Sequence, residues 1–150
     1  EKIIEWHNRS QKKSELNLHK NIKNGFYKNW SKNGVLIKEA YYKDGLLEGN
    51  YNDFLPNHSP KIVSYYKKGE ISKSLIEYFV NDNVTKKFKY KKGIKHGKHK
   101  IYYNNGTLKR KGKYKNNQPQ GWHTFYNSKG NKFKKCKFKN GILKKEKIMI

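Results

Sequence analysis

The sequence repeats with a period of 24 residues, and this period limits the possible folds more than any other feature. The segment GFYKNWSKNGVLIKEAYYKDGLLEG (25–49) returns with the same arrangement of glycines and aromatic residues when the chain is shifted by 24 positions. Six units fill the ranges 1–24, 25–48, 49–72, 73–96, 97–120 and 121–144, followed by a tail at 145–150. Periods of about 20–50 residues are typical of proteins built from stacked repeats. We therefore expect one repeat array over residues 1–150.

Two positions in each unit carry aromatic rings. The sixth position is aromatic in all six units, and the eighteenth is aromatic in five, with Leu18 in the first unit. The first ladder consists of Trp6, Trp30, Phe54, Tyr78, Tyr102 and Tyr126, and the second ladder of Tyr42, Tyr66, Tyr90, Tyr114 and Phe138. Because side chains alternate along a strand, we predict that both ladders follow one face of a sheet. Cross-strand aromatic pairs of this kind contribute about 0.2–1 kcal/mol each.

Turn-forming residues divide each unit into two short strands. Asn33-Gly34 and Asp44-Gly45 favour tight hairpin turns, and they end β-prone segments at 26–31 and 36–43. The twenty-first position of every unit is Gly or Asn, the residues that most readily adopt a positive φ. These features predict an all-β fold, an elongated antiparallel β-meander of stacked hairpins with up to twelve strands. The tail from Lys144 is predicted to add an edge strand.

The spacing of these residues matches a known repeat. The pattern Gly-x-x-x-x-aromatic-x-x-Asn-Gly-x-Leu, followed by Tyr-x-x-Gly, is clearest in residues 25–49 and 97–121. It resembles the MORN repeat, and in particular the bacterial variant of YwqK-like antitoxin components. The resemblance implies six MORN-like repeats that serve as a non-catalytic binding surface. Members of this family are linked to membrane lipids, to scaffolding and, for the bacterial variants, to toxin neutralisation.

Basic residues are concentrated in the C-terminal half. The chain has 36 Lys+Arg and 11 Asp+Glu, a net charge of +25. Residues 1–84 hold 14 basic and 10 acidic residues, whereas residues 85–150 hold 22 basic residues and a single acid, Glu146. The corresponding net charges are +4 and +21. Strand alternation predicts that this charge is spread over both faces of the sheet.

A positive field of this size attracts polyanions. The candidate surface for an acidic partner comprises Lys86, Lys87, Lys91, Lys92, Lys109, Arg110, Lys111, Lys134 and Lys135. The partner is an acidic protein surface, a nucleic acid or an anionic membrane. The alternative is a solvated charged surface, because 34 of the 36 basic residues are Lys, as an AT-rich genome also produces. Bidentate recognition of phosphate favours Arg instead.

A second group of aromatic residues is predicted to point away from the ladders. Tyr27, Tyr41, Tyr65 and Tyr103 sit beside the ladder rings. Exposed aromatic rings beside lysines can stack on bases or anchor a protein interface. The alternative is that these rings only cover the second side of the sheet.

Motifs for catalysis and metal binding are missing from the sequence. The glycines are spaced for turns rather than for a phosphate-binding loop, and no serine lies in a nucleophile-elbow context. His96 and His99 are three residues apart and are predicted to lie on opposite faces of a strand. Cys136, the single cysteine, excludes an internal disulfide and is predicted to be a small buried residue. We expect no enzyme activity, no metal and no cofactor.

The function expected from the sequence is that of a binding module. The first hypothesis is protein–protein interaction, of an antitoxin or immunity type, with the basic half on an acidic partner. The alternatives are an accessory protein that binds RNA or an anionic membrane, and a structural subunit of a larger assembly. We expect a cytoplasmic location, which the single cysteine fits. The alternative is an exported protein from which a leader has been removed, because the chain begins at Glu1 without a Met.

Overall fold

A computed structural model describes residues 1–57 and 59–149, so that His58 and Ile150, the last residue of the predicted tail, lie outside the described residues. The described residues form one antiparallel sheet of thirteen strands, in which each strand pairs with its neighbours in the sequence. The strands are β1 (Lys2–Trp6), β2 (Lys12–His19), β3 (Ile22–Trp30), β4 (Leu36–Lys43), β5 (Leu46–Phe54), β6 (Pro60–Lys67), β7 (Glu70–Tyr78), β8 (Val84–Lys91), β9 (Ile94–Tyr102), β10 (Leu108–Lys115), β11 (Gln118–Tyr126), β12 (Lys132–Lys139) and β13 (Ile142–Ile148). The predicted all-β meander of hairpins is confirmed, and the edge strand expected from the tail begins two residues earlier than Lys144.

Alternate hairpins are closed by two-residue turns of the same geometry. Asp44 and Gly45 both have positive φ, 49° and 80°, as a type I′ turn requires. Positive φ values at both residues are repeated in Lys20-Asn21, Lys68-Gly69, Lys92-Gly93, Asn116-Asn117 and Asn140-Gly141, each within 18° of the corresponding value. The type I′ turn suits the right-handed twist of the strands that it joins. The restriction to Gly and Asn at the twenty-first position therefore follows from the backbone conformation of the turn.

The prediction that both ladders share one face is wrong. Each ring of the first ladder is the last residue of an odd-numbered strand, as Trp30 is in β3 and Tyr126 in β11. Tyr42 of the second ladder lies on the face of Tyr27, with the ring centroids 6.3 Å apart. Trp30 is three residues beyond Tyr27 in the same strand and therefore points to the other side. A shift of register at the Trp30 end of the β3–β4 hairpin changes the alternation that the sequence spacing implied.

The better-packed side of the sheet carries the second ladder, and we call it the ring face. A row of directly paired residues on this face alternates large and small side chains across β3 to β6, in the order Tyr27, Ala40, Tyr51 and Ser64. Ala40 and Ser64 are each 3% exposed because the rings from the neighbouring strands cover them. In the same position of β12, Cys136 is 4% exposed, as predicted. The sheet thus covers its own ring face without a second layer.

Candidate functional site

A row of lysines crosses the C-terminal half of the sheet on the side opposite the ring face. The successive cross-strand partners in β8 to β13 are Lys87, Lys100, Lys111, Thr124, Lys135 and Lys147. Because neighbouring strands lie about 4.8 Å apart, this row spans about 24 Å. Direct pairs of Lys98 with Lys113 and of Lys137 with Lys145 lie beside the row.

We call this surface the lysine face. It is defined by Lys87, Lys98, Lys100, Lys111, Lys113, Lys135, Lys137, Lys145 and Lys147. All of these residues except Lys135 are exposed. The single acid of the C-terminal half, Glu146, pairs with Cys136 and therefore lies on the ring face. Among the residues that the structure describes, the lysine face consequently has no carboxylate of its own to balance its charge.

The same row has a different character in the N-terminal half. Continued towards β2, it carries Ile76 and Val63 near the middle of the sheet, and then Glu39, Lys28 and Glu15. Lys28 lies directly between two glutamates, so opposite charges are neighbours there. Like charges that face each other across strands are destabilising, whereas opposite charges are favourable. The accumulation of lysine is therefore a local property of β8 to β13 and not of the fold.

The basic residues singled out from the sequence divide between the two faces. By strand alternation, Lys87, Lys91, Lys111 and Lys135 lie on the side of the lysine face. Lys86, Arg110 and Lys134 lie on the ring face. Lys92 lies in a turn, and the ammonium of Lys109 is 5.2 Å from the ring centroid of Tyr103.

Two basic residues of the ring face have carboxylate partners, in contrast to the residues of the lysine face. Lys86 pairs with Glu77 at 2.7 Å, and Lys134 pairs with Glu146 at 2.9 Å. The ammonium of Lys134 lowers the pKa of Glu146, chiefly through their hydrogen bond. The predicted spread of basic residues over both faces is observed, and carboxylate partners are found for Lys86 and Lys134 of the ring face but for none of the lysines that define the lysine face.

Arg110 is held on the ring face by a buried histidine. Its guanidinium donates a hydrogen bond to Nδ1 of His123 at 2.9 Å, and Nε2 of His123 donates to the carbonyl oxygen of Lys113 at 2.9 Å. These two bonds require a neutral imidazole with its proton on Nε2. Burial lowers the pKa of His123, in keeping with the neutral form. Gly112 makes room for this ring, because a Cβ atom there would lie 2.5 Å from Cγ of His123.

His99 lies beside His123 in the same buried cluster. It is 2% exposed and stacks on Phe88, with the ring centroids 5.2 Å apart. Neither of its ring nitrogens has a hydrogen-bond partner within the part of the chain that the structure describes. Burial, followed by the nearby His123, Arg110 and Lys95, lowers the pKa of His99 from 6.5 to about 4. His99 is therefore neutral at physiological pH and contributes no charge to the surface.

A hollow of about 520 Å³ opens on the lysine face. Its polar walls are Lys98, Lys100, Lys111 and Lys113, and its other side is formed by Gln120, Trp122 and Thr124. Trp122 is 40% exposed. The ammonium groups of Lys137 and Lys147 lie 6.0 and 5.9 Å from the centroid of its ring. An exposed indole thus stands among basic groups from four neighbouring strands.

The tyrosines expected to form a contact face lie in different environments. Tyr41 and Tyr65 line a second hollow of about 600 Å³ on the N-terminal half of the same side of the sheet, together with Phe26. Phe26 is 60% exposed and meets Tyr41 edge-on, with the ring centroids 5.1 Å apart. Tyr27 lies instead on the ring face with Tyr42, so its predicted place on the contact face is wrong. Tyr103 donates a hydrogen bond from its hydroxyl to the carbonyl oxygen of Tyr126 at 2.9 Å.

Sequence reasoning did not single out His99, His123 or Trp122 as parts of a site. His99 and His123 occupy the third position of their units, where Tyr27 and Tyr51 stand in earlier units, so the repeat alignment contained a signal for burial. Trp122 is the second residue of its unit, where Phe26 stands in the second unit. Only the strand register shows that this indole is a direct neighbour of Lys137.

The chain matches no model of a known protein family, and no curated protein is significantly similar to it in sequence. The likeness to MORN repeats therefore remains a prediction from the residues. Within residues 1–57 and 59–149, no group of three or more His, Cys, Asp or Glu side chains is placed to hold a metal ion. The same residues include no helix long and apolar enough to cross a membrane.

Proposed function

We propose that this protein is a non-catalytic binding module and that its lysine face binds a polyanionic macromolecule. The observation that carries the proposal is the row of Lys87, Lys100, Lys111, Lys135 and Lys147, which are successive cross-strand neighbours except at Thr124. Each direct lysine pair costs stability in the unbound protein. A polyanion that lies across the row relieves this repulsion and is attracted by all of these charges together. The resemblance of the units to MORN repeats supports a non-catalytic role.

The partners of the basic residues on the ring face strengthen the proposal. Lys86 and Lys134 have carboxylate partners, and Arg110 is bound to His123. Composition alone would not make the two faces differ in how many of their basic residues have carboxylate partners. The counter-charges instead leave one continuous surface of free ammonium groups, which is the arrangement that focuses a positive field on a partner.

The test compares two variants of equal net charge. One carries Lys87→Gln, Lys100→Gln and Lys111→Gln, and the other carries Lys32→Gln, Lys43→Gln and Lys67→Gln, three exposed lysines outside the lysine face. The measurement is the salt concentration at which each protein elutes from immobilised heparin, a flexible polyanion. We expect the lysine-face variant to elute at clearly lower salt than the control variant. Equal elution of the two variants would show that only the net charge matters and would overturn the proposal.

The hollow around Phe26, Tyr41 and Tyr65 supports a second candidate function, which is binding of another protein. Exposed aromatic residues in a concave surface are typical anchors of protein interfaces. This hollow also contains Glu39 and Glu48, so it does not suit the polyanion that the lysine face attracts. A protein bound there would remain bound at moderate salt, whereas binding to the lysine face weakens steeply as salt rises.

A further inference from the structure

The exposure of Trp122 on the lysine face is not explained by the binding of a simple polyanion. Trp122 is 40% exposed in the hollow between Lys98, Lys100, Lys111 and Lys113. Its direct partner across the strands is Lys137. A large aromatic side chain gains stability when it is buried. Here it is exposed to solvent among lysines of the neighbouring strands.

We propose that this hollow binds single-stranded nucleic acid, with the indole of Trp122 stacking on a base. This inference rests on the proposed function and names its ligand class. Single-strand binding proteins combine a basic groove, which follows the phosphates, with aromatic rings, on which bases stack without regard to sequence. Lys98, Lys100, Lys111 and Lys113 provide the first element, and Trp122 provides the second.

Gln120 and two further lysines add contacts for the same ligand. Gln120 and Thr124 stand on either side of Trp122 along β11 and point to the same side of the sheet. The amide oxygen of Gln120 accepts a hydrogen bond from the backbone N–H of Asn140 at 2.8 Å, which leaves its NH2 group to donate to the edge of a base. Thr124 lines the hollow but is only 7% exposed. The ammonium groups of Lys137 and Lys147, near 6 Å from the indole, are placed to neutralise the phosphates next to the stacked base.

The geometry favours a single strand over the other polyanions. A duplex offers its phosphates to the lysines but keeps the faces of its bases stacked inside the helix, which leaves Trp122 without a role. An acidic bilayer also attracts the lysines, but it offers no aromatic bases on which the indole could stack. Only an unpaired strand presents both a charged backbone and free aromatic faces.

The first experiment measures binding of fluorescein-labelled oligo-uridine and oligo-thymidine of about 12 nucleotides, a length within the range that single-strand binding sites cover. We expect saturable binding that weakens as salt increases. In a protein with Trp6→Phe and Trp30→Phe, Trp122 is the only tryptophan. Its fluorescence should be quenched on binding, because the base stacks on the indole.

The decisive variants are Trp122→Ala and Trp122→Phe. We expect Trp122→Ala to weaken oligonucleotide binding about 5- to 150-fold, the range for loss of one stacked base, and to leave the salt dependence unchanged. Trp122→Phe keeps a ring and should recover part of the affinity. The matched control is Trp6→Ala, which removes an exposed tryptophan from the opposite end of the sheet and should not alter binding. Circular dichroism checks that each variant folds.

The outcomes separate this inference from the proposed function. Binding that Trp122→Ala leaves unchanged would overturn the stacking role, and so would equal affinity for single-stranded and duplex DNA. If the chain binds heparin or vesicles of phosphatidylserine but not the oligonucleotides, the inference fails while the polyanion function stands. If it binds none of these probes, both proposals fail.

Discussion

At the residue scale, two buried histidines lie on the ring face, on the other side of the sheet from the lysine face. His123 is fully buried and has a hydrogen bond at each ring nitrogen, whereas His99, which is 2% exposed, has none within the described residues. Burial opposes the protonation of His99 most strongly. The neighbouring His123 and the cations Arg110 and Lys95 add to this effect. The burial of His99 could be predicted from the position that Tyr27 shares with it in the repeat. Its unpartnered nitrogens depend on distances in three dimensions, which the repeat does not contain.

His99 predicts how stability depends on pH. The folded protein holds this ring neutral down to about pH 4, whereas the unfolded chain takes up the proton near pH 6.5. The unfolded state therefore binds more protons between these values, and the free energy of unfolding falls as the pH is lowered through this window. We expect His99→Leu, which introduces the residue found at Leu75 in the fourth unit, to reduce this slope by at most about 1.4 kcal/mol per pH unit. Urea unfolding between pH 4 and 7 measures it.

His123 changes the pH dependence of the free energy of unfolding in the same direction, because burial lowers its pKa as well. A smaller slope should thus remain in the His99→Leu protein. The account of His99 would be wrong if the variant kept the slope of the natural protein in full.

At the element scale, turns could be predicted from the sequence more reliably than faces. Asp44-Gly45 has to adopt a left-handed conformation at both residues, and few residue types do so without strain. The side of the sheet to which Trp30 and Tyr42 point depends instead on the register shift in the β3–β4 pair. A β-bulge changes which side every later residue faces, and no residue type marks it uniquely.

The strand register also predicts a conflict between stability and binding. Lys100 lies between Lys87 and Lys111, so Lys100→Glu replaces two repulsive neighbours by two attractive ones. We expect the free energy of unfolding to rise by about 0.5–1 kcal/mol at low salt. The same substitution should weaken binding to heparin. Unfolding in urea and elution from heparin measure the two effects.

The matched control lies in the same row of the sheet. Lys28 stands between Glu15 and Glu39, so Lys28→Glu should lower the free energy of unfolding by a similar amount. Salt near 1 M should remove most of both effects, because the charges are exposed to solvent. Stability changes of the same sign in the two variants would contradict the assignment of these neighbours.

At the scale of the whole molecule, one sheet carries two surfaces of different chemistry. Its N-terminal half combines the hollow of Phe26, Tyr41 and Tyr65 with alternating charges, and its C-terminal half carries the lysine face. The sequence predicted the basic half, because charge counts need no structure. It could not predict that Lys86 and Lys134 find carboxylates while Lys100 and Lys111 do not, because this depends on which strands become neighbours.

The most direct test of the central claim is the reactivity of individual lysines. The protein is acetylated under limiting conditions with and without heparin, and mass spectrometry measures the modification at each lysine. We predict strong protection at Lys98, Lys100, Lys111 and Lys113, and unchanged modification at Lys32, Lys43 and Lys67. Uniform protection over the chain, or protection confined to the N-terminal half, would show that the lysine face does not bind the polyanion.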